Sequence, residues 1–312
     1  MTDAPGHVAI LLATFNGAGY LPEQLDSLLA QVHRDWTLFW HDDGSTDATG
    51  AIMSAFTARI GAGRCVHLNE PAGRLGVLDS FMALLRAAAP TLGEHDAVAF
   101  ADQDDVWLPP KLARGMAALA AGRASQPALY FARQVLVDDR LRRIGLSAPL
   151  TITPGFPAAL TQNVAAGCTV LLNRAAAVLV AGSHPPASTL HDWWSYILVS
   201  AAGGRIVPDP EPTILYRQHA GNAIGAAASR PRRALAAARR GPRPFMRDFA
   251  RHVASLCDHA EALSPAAKRD LAVLRRAIAG GMLARLAGLR LPGLQRNHWS
   301  EGLLFRLWFL IG

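Results

Sequence analysis

Three carboxylates crowd into the segment Ala101-Asp102-Gln103-Asp104-Asp105-Val106-Trp107. Side by side they repel one another unless a cation lies between them. Hard oxygen donors suit Mg²⁺ or Mn²⁺, ions commonly held by one or two carboxylates together with the phosphates of a substrate. The segment comes after the apolar run Ala97-Val98-Ala99-Phe100 and before Leu108-Pro109-Pro110-Lys111, where proline suits the start of a helix. The carboxylates therefore fall at the C-terminal tip of a buried strand, where open α/β sheets bind ligands. The plain alternative is a solvated acidic turn that caps the next helix. A second acidic turn, His41-Asp42-Asp43-Gly44-Ser45-Thr46-Asp47, and the groups His191-Asp192 and Arg217-Gln218-His219 add further acids, bases and cations.

The elements that must position these groups read as strand–helix alternation. His7–Ala13 is a continuous apolar run, as expected of a parallel strand buried on both faces, and it ends in Thr14-Phe15-Asn16-Gly17. Leu21, Leu25, Leu28 and Leu29 share one helical face. Trp36–Trp40 predicts a second strand, with Ser45 as N-cap of the helix through Ile52 and Phe56. Cys65–Leu68 predicts a third strand, Leu75–Ala89 a helix, and the acidic tip closes a fourth strand. This order predicts βαβ units and a mainly parallel sheet whose turns lie along one edge. No GxGxxG or GxxxxGK[ST] occurs in the first 110 residues, so neither a dinucleotide fingerprint nor a P-loop is indicated. Further on, Ala128–Val137 and Gly167–Leu172 predict strands and His191–Ala202 a helix. Arg205–Val207 and Thr213–Tyr216 predict short strands around a proline-rich turn.

The 312 residues suffice for a substantial core, and 51% are apolar. No apolar run reaches 18 residues, and no basic segment with an apolar core opens the chain, so neither a membrane span nor a secretory signal is expected. Cys65, Cys168 and Cys257 form no CxxC, which fits a reducing cytoplasm and no structural zinc. The net charge of +7 is unevenly spread: residues 230–312 hold 16 Lys+Arg and 5 Asp+Glu, leaving 15 and 19 in the body. A basic tail on a near-neutral body suggests nucleic acid or an anionic membrane surface as partner. Ser229–Arg233 and Arg239–Pro244 read as exposed basic linkers, and Phe245–Ala262 and Pro265–Ala279 as helices. The apolar end Leu303–Ile311, too short to span a bilayer, suits either a helix in a membrane interface or packing against the body.

Thr14-Phe15-Asn16, then Asp42-Asp43-Gly44-Ser45-Thr46-Asp47, then Asp102-Gln103-Asp104, each after a strand and in this order, resemble the family 2 glycosyltransferases of GT-A fold. The look is closest to bacterial rhamnosyltransferase-like members that build surface polysaccharides. Asp102–Trp107 is similar to that subgroup's DxD motif, and His191-Asp192-Trp193-Trp194 and Tyr216-Arg217-Gln218-His219 to further subgroup motifs. The resemblance spans roughly residues 7–225 and implies a GT-A domain over 1–228. Within it, residues 1–110 would form a nucleotide-binding half and 111–228 an acceptor half, with a basic helical region over 229–312.

The resemblance also implies roles. Asp43 would accept hydrogen bonds from the nucleotide base, in a pocket lined by Ala13, Thr14 and Phe15, while Asp42 and Asp47 serve as caps. Arg74 and Arg217 would reach the diphosphate, and Asp102 and Gln103 the ribose or donor sugar. Asp104, joined by His219, would hold Mn²⁺ or Mg²⁺, and Asp192 would be the catalytic base of an inverting transfer. The implied partners are a UDP-, dTDP- or GDP-linked sugar, a lipid-linked or polysaccharide acceptor, and an anionic surface at the inner face of the membrane for a cytoplasmic protein. Two features depart from the family: the turn from Asn69 to Gly76 is poor in glycine, and no QxxRW marks a processive synthase.

Three rivals remain from the residues alone. A nucleic-acid binder would use the basic tail, but aromatic stacking platforms are not interleaved with its arginines. A non-catalytic sugar-nucleotide binder is disfavoured by intact Asp104 and Asp192. A sugar-nucleotide pyrophosphorylase would need a basic N-terminal loop, which Thr14–Gly19 lacks.

Overall fold

In a computed structural model, residues 6–69, 74–187, 189–219 and 241–312 are described. The basic segments within 220–240 and part of the turn after Asn69 lie outside the described residues. One sheet carries the site. Its first half is parallel: β1 (Val8–Thr14), β2 (Trp36–Asp42), β3 (Cys65–His67) and β4 (Ala97–Ala101) lie in the order β3-β2-β1-β4. Between them run α1 (Leu21–Leu29), α2 (Thr49–Ile60) and α3 (Val77–Ala88). Every residue of β4 and the first five of β1 are buried, which is why these strands read as unbroken apolar runs. Their C-terminal tips therefore share one edge, as the alternation predicts.

Beyond β4 the sheet becomes mixed. After the two-residue β5 (Val106–Trp107) and α4 (Lys111–Ala120) come β6 (Ala128–Val137) and the edge strand β7 (Arg143–Leu146). β8 (Leu171–Asn173) sits antiparallel between β4 and β6. Next is α5 (Arg174–Ala181), capped by the Asn173 side chain, and then α6 (His191–Ala201). The strand expected over Gly167–Leu172 is a single helical turn, Gly167–Thr169, leading into β8. The two short strands expected around the prolines are one strand, β9 (Arg205–Arg217), parallel to β6 with a bulge opposite Arg133. β5 pairs only with Ile214 and Leu215, so the proline-bearing half of β9 is an edge on that side and loses no ladder bond there. Ser45 does not cap α2. The Asp47 carboxylate takes the Thr49 N–H at 2.9 Å, and Ser45 ties the turn to Asn16 and Asp42.

The C-terminal helices are α7 (Pro242–Asp258), α8 (Pro265–Ala279), α9 (Met282–Gly288) and α10 (Trp299–Ile311). Phe249, Val253, Leu256, Leu271, Leu274, Phe305 and Phe309 join the same buried cluster as Phe81, Phe100, Leu172 and Trp194 of the sheet side. His252 Nε2 meets Thr189 Oγ1 at 3.0 Å, and Arg296 donates to the Thr161 carbonyl at 2.7 Å. One face of the basic region thus packs on the body. No helix among the described residues is long and apolar enough to cross a membrane. All three cysteines are free thiols.

Candidate active site

The tips of β1, β2 and β4 converge through side-chain bonds to backbone. Asp43 donates its N–H to the Thr14 carbonyl at 2.8 Å, so the pocket-lining Ala13, Thr14 and Phe15 run alongside it. The Thr14 hydroxyl donates to Asp42 at 2.9 Å, and Asp42 accepts the Ser45 N–H. Asp42 and Asp47 are thus turn and cap residues. Asp43 is buried, and its two oxygens accept the N–H groups of Leu75 and Gly76, with one lone pair on each still available. Arg74 is exposed; its guanidinium carbon lies 3.7 Å over the Phe15 ring and its Nε 3.8 Å from Asp43. Phe15, Asp43 and Arg74 therefore frame one site: an aromatic face, a carboxylate and a cation.

Gln103 is not turned outward. Its Oε1 accepts the Phe15 N–H at 2.9 Å and its Nε2 donates to the Phe15 carbonyl at 3.0 Å. Any side chain on Gly17 would strike this amide. The sequence pattern puts Gln103 against the sugar; instead it fastens the β4 tip to the β1 tip. Arg217, expected as a diphosphate ligand, is also turned inward. It is 1% exposed, donates to the carbonyls of Asp104 and Asp139 and to Glu23, and stacks on Tyr20. Its backbone N–H donates to Asp105 Oδ1 at 3.1 Å. This arginine fixes the end of β9 against the acidic turn.

That junction brings His219 to Asp104. The His219 Nε2 lies 2.7 Å from Asp104 Oδ2, and the ring packs 4.8 Å from Tyr20. Both side chains are partly exposed, at 14% and 19%, so the pair opens to a ligand. Tyr20 carries no mark in the sequence; it follows Gly17-Ala18-Gly19 before α1, and only the fold brings it to Arg217 and His219.

A second donor set lies beneath. One ligand atom each from Asp102, Asp105 and Cys168 falls within 4.8 Å of the others. Burial pushes the Asp105 carboxyl and the Cys168 thiol well above their ordinary values, with the neighbouring carboxylates adding to it. A protonated thiol is a poor ligand for a hard cation. Lys111 shares this interior, wholly buried, its Nζ 3.7 Å over the Trp107 ring, and burial draws its pKa down to about 7. A cation in the first turn of α4 opposes the helix dipole, and that is its one sequence signal.

Asp192 stands in the first turn of α6, 6% exposed. Its Oδ2 accepts the Gly167 N–H at 2.8 Å and its Oδ1 the N–H of Trp193 at 2.6 Å; Asn163 also donates to it. Burial outweighs these bonds and lifts its pKa to about 6. Asp102 is pushed up by burial and then by the charges of Asp104 and Asp192. Asp192 holds the Gly167 N–H, and the next residue, Cys168, lies with Asp102 and Asp105, so Asp192 adjoins the acidic turn. His191 stacks on Phe81 at 3.8 Å and edges Phe100, and burial holds its pKa down at about 3. It is a neutral wedge beside Asp192. A Cβ on Gly167 would come within 3.0 Å of His191 Nε2 and 3.3 Å of Asp192 Cβ, so the close approach needs glycine.

Known proteins share this fold. Residues 9–178 match the model of "Glycosyl transferase family 2". The dTDP-rhamnosyl transferase RfbG of Shigella flexneri is 27% identical over 228 residues, covering 69% of this chain and 74% of RfbG. Among solved structures, residues 1–349 of S. aureus TarS in complex with UDP-GlcNAc superpose with a TM-score of 0.54 at 15% identity, over 79% of this chain and 66% of that one. The mannosyltransferase PcManGT of Pyrobaculum calidifontis, in complex with GDP-Man and Mn²⁺, gives 0.53 at 17% identity, over 98% and 86%. A parallel sheet whose acidic tips meet at one edge, with helices packed behind it, is the GT-A arrangement, and the chain belongs to glycosyl transferase family 2 as a glycosyltransferase.

Proposed function

We propose that the chain catalyses an inverting, metal-dependent transfer of a sugar from a nucleoside diphosphate to a hydroxyl of a lipid-linked or polysaccharide acceptor, at the inner face of a membrane. The observation that carries this reading is the buried carboxylate of Asp192, held by the Gly167 N–H one residue before Cys168, which adjoins the acidic turn of Asp102, Asp105 and the Asp104–His219 pair. One base suffices for a direct displacement when the leaving group is a diphosphate that departs without protonation. Asp104 would hold Mn²⁺ or Mg²⁺, with His219 as a second donor, and the pair would leave room for phosphate oxygens. When bound, the ion offsets charge developing on the departing diphosphate. Phe15 and Asp43 take the base, Arg74 the diphosphate beside it, Asp102 the sugar or ribose, and Gln103 and Arg217 act by positioning. RfbG makes dTDP-rhamnose the first donor to test.

Calorimetric titration with UDP, dTDP and GDP, each with Mn²⁺ and then with a chelator, tests the reading. We expect one nucleotide to bind, with binding lost on chelation. Failure of all three with metal present would overturn it.

Kinetics should carry two more signatures. The base must be ionised to work, and its pKa is raised, so kcat/KM should fall about tenfold per pH unit below roughly pH 6 and level off above. An ordinary aspartate would place that limb near pH 4; a rate–pH profile at saturating metal distinguishes them. Gly167→Ala should lower kcat by about 10²-fold by displacing Asp192, with the nucleotide dissociation constant unchanged. Steady-state kinetics beside the same titration reads both.

A further inference from the structure

α10 has two apolar faces. Phe305, Trp308 and Phe309 are buried against Phe245 and Phe249 of α7. On the opposite side Trp299, Leu303, Leu307 and Ile311 recur every fourth residue and are 74%, 59%, 52% and 60% exposed. Such a spacing forms one continuous stripe along a helix. α9 abuts the C-terminal end of α10: Arg285 donates to the carbonyls of Phe309 and Leu310, and Gly288 lies against the Phe309 ring. α9 adds Leu283, 83% exposed, with Met282 and Leu286. These apolar side chains sit among cations. Arg306 is exposed on α10 beside the stripe, Arg290 comes just after α9, and Arg243 and Arg247 are exposed on α7. Arg243, Arg247 and Arg285 line a cleft of about 240 Å³ whose remaining wall includes Met246, Ile278 and Phe309. The facing acids are Asp248, which pairs with Arg247 and Arg251, and Glu301, which pairs with Arg296.

We propose that this ridge of α9 and α10 docks on the surface of an anionic lipid bilayer, with the stripe from Trp299 to Ile311 in the headgroup–acyl boundary and the arginines on lipid phosphates. An apolar stripe with an aromatic residue and flanking arginines is the chemistry of an interfacial helix. Charge decides between a bilayer and a second copy of the chain. A two-fold contact through the stripe would bring Arg306 and its neighbours against their own copies, whereas an anionic leaflet complements them. The inference stands apart from the transfer reaction, because none of these residues belongs to the donor site.

The full-length protein should co-sediment with vesicles of phosphatidylglycerol and phosphatidylethanolamine, and at least tenfold more weakly with pure phosphatidylcholine. Trp299 emission should shift to shorter wavelength on binding, and Trp299→Phe should remove that shift. Leu303→Glu/Leu307→Glu should weaken vesicle binding by roughly tenfold per leucine while leaving the oligomeric state and the unfolding temperature unchanged. A second pair, Leu303→Ala/Leu307→Ala, should lie between this variant and the native chain. Equal binding by native and Glu-substituted protein would overturn the ridge as the docking face. So would absence of binding to anionic vesicles. A native dimer that the glutamates convert to monomer, without vesicle binding, would assign the stripe to a second copy instead.

Discussion

Asp192→Asn should abolish transfer, lowering kcat by about 10²- to 10⁴-fold, the range for loss of a general base. The nucleotide dissociation constant should stay within about twofold. The amide keeps the size of the carboxylate, and its oxygen still accepts from Gly167 or Trp193, while its NH₂ faces the other N–H. It loses the capacity to take the acceptor's proton. The same substitution should remove a pH dependence from stability. The folded-state pKa lies above the ordinary value of 3.8, at about 6, so the native state holds its proton more tightly than the unfolded chain. Stability conferred by the protonated form is present below pH 4 and is lost as the pH rises towards 6. At pH 7 the ionised, buried group therefore costs up to about 3 kcal/mol, which an uncharged amide does not. The change in unfolding temperature on Asp192→Asn should therefore be more favourable at pH 7 than at pH 4. Near-normal turnover in this variant would remove Asp192 from the role of base.

Asp104→Ala should act earlier, on binding. We expect nucleotide affinity in Mn²⁺ to fall by about 10²-fold, to the level the native protein shows with a chelator. His219→Ala should lose about tenfold, since the remaining carboxylate still holds the cation. The pair stands 2.7 Å apart and partly open to solvent, whereas Asp105 and Cys168 are shut in the core. Cys168→Ser therefore discriminates between the two donor sets. If metal-dependent binding survives Asp104→Ala but not Cys168→Ser, the buried set holds the ion.

The acidic turns are legible because buried parallel strands are unbroken apolar runs, and the polar turn after each run marks a sheet edge. Asp43, Asp104 and Asp192 are readable from their places after β2, after β4 and at the head of α6. β9 reads as two pieces because Pro208, Pro210 and Pro212 look like a turn; the missing β5 neighbour makes them tolerable in one strand. Gln103 and Arg217 look like ligands because both carry donors at a site. Only the fold shows that Gln103 meets the backbone of residue 15, and that Arg217 meets the carbonyls of residues 104 and 139, the Glu23 carboxylate and the Tyr20 ring. Tyr20 gives almost no signal, since it acts across a long stretch of chain, and Lys111 gives only its place at the head of α4. The apolar end from Leu303 to Ile311 suits two readings, because a helix can bury one face and show the other.

The Gln103 amide has the outline of a peptide unit, and it pairs with Phe15 as a neighbouring strand would. β1 and β4 stop pairing at Leu12 and Ala101. The side chain thus supplies one more rung past the end of the ladder, without any backbone to continue it. The β1 tip with Phe15 and the β4 tip with Asp104 are then tied into one piece. That tie rests on a single glutamine and on the bare Cα of Gly17 that makes room for it.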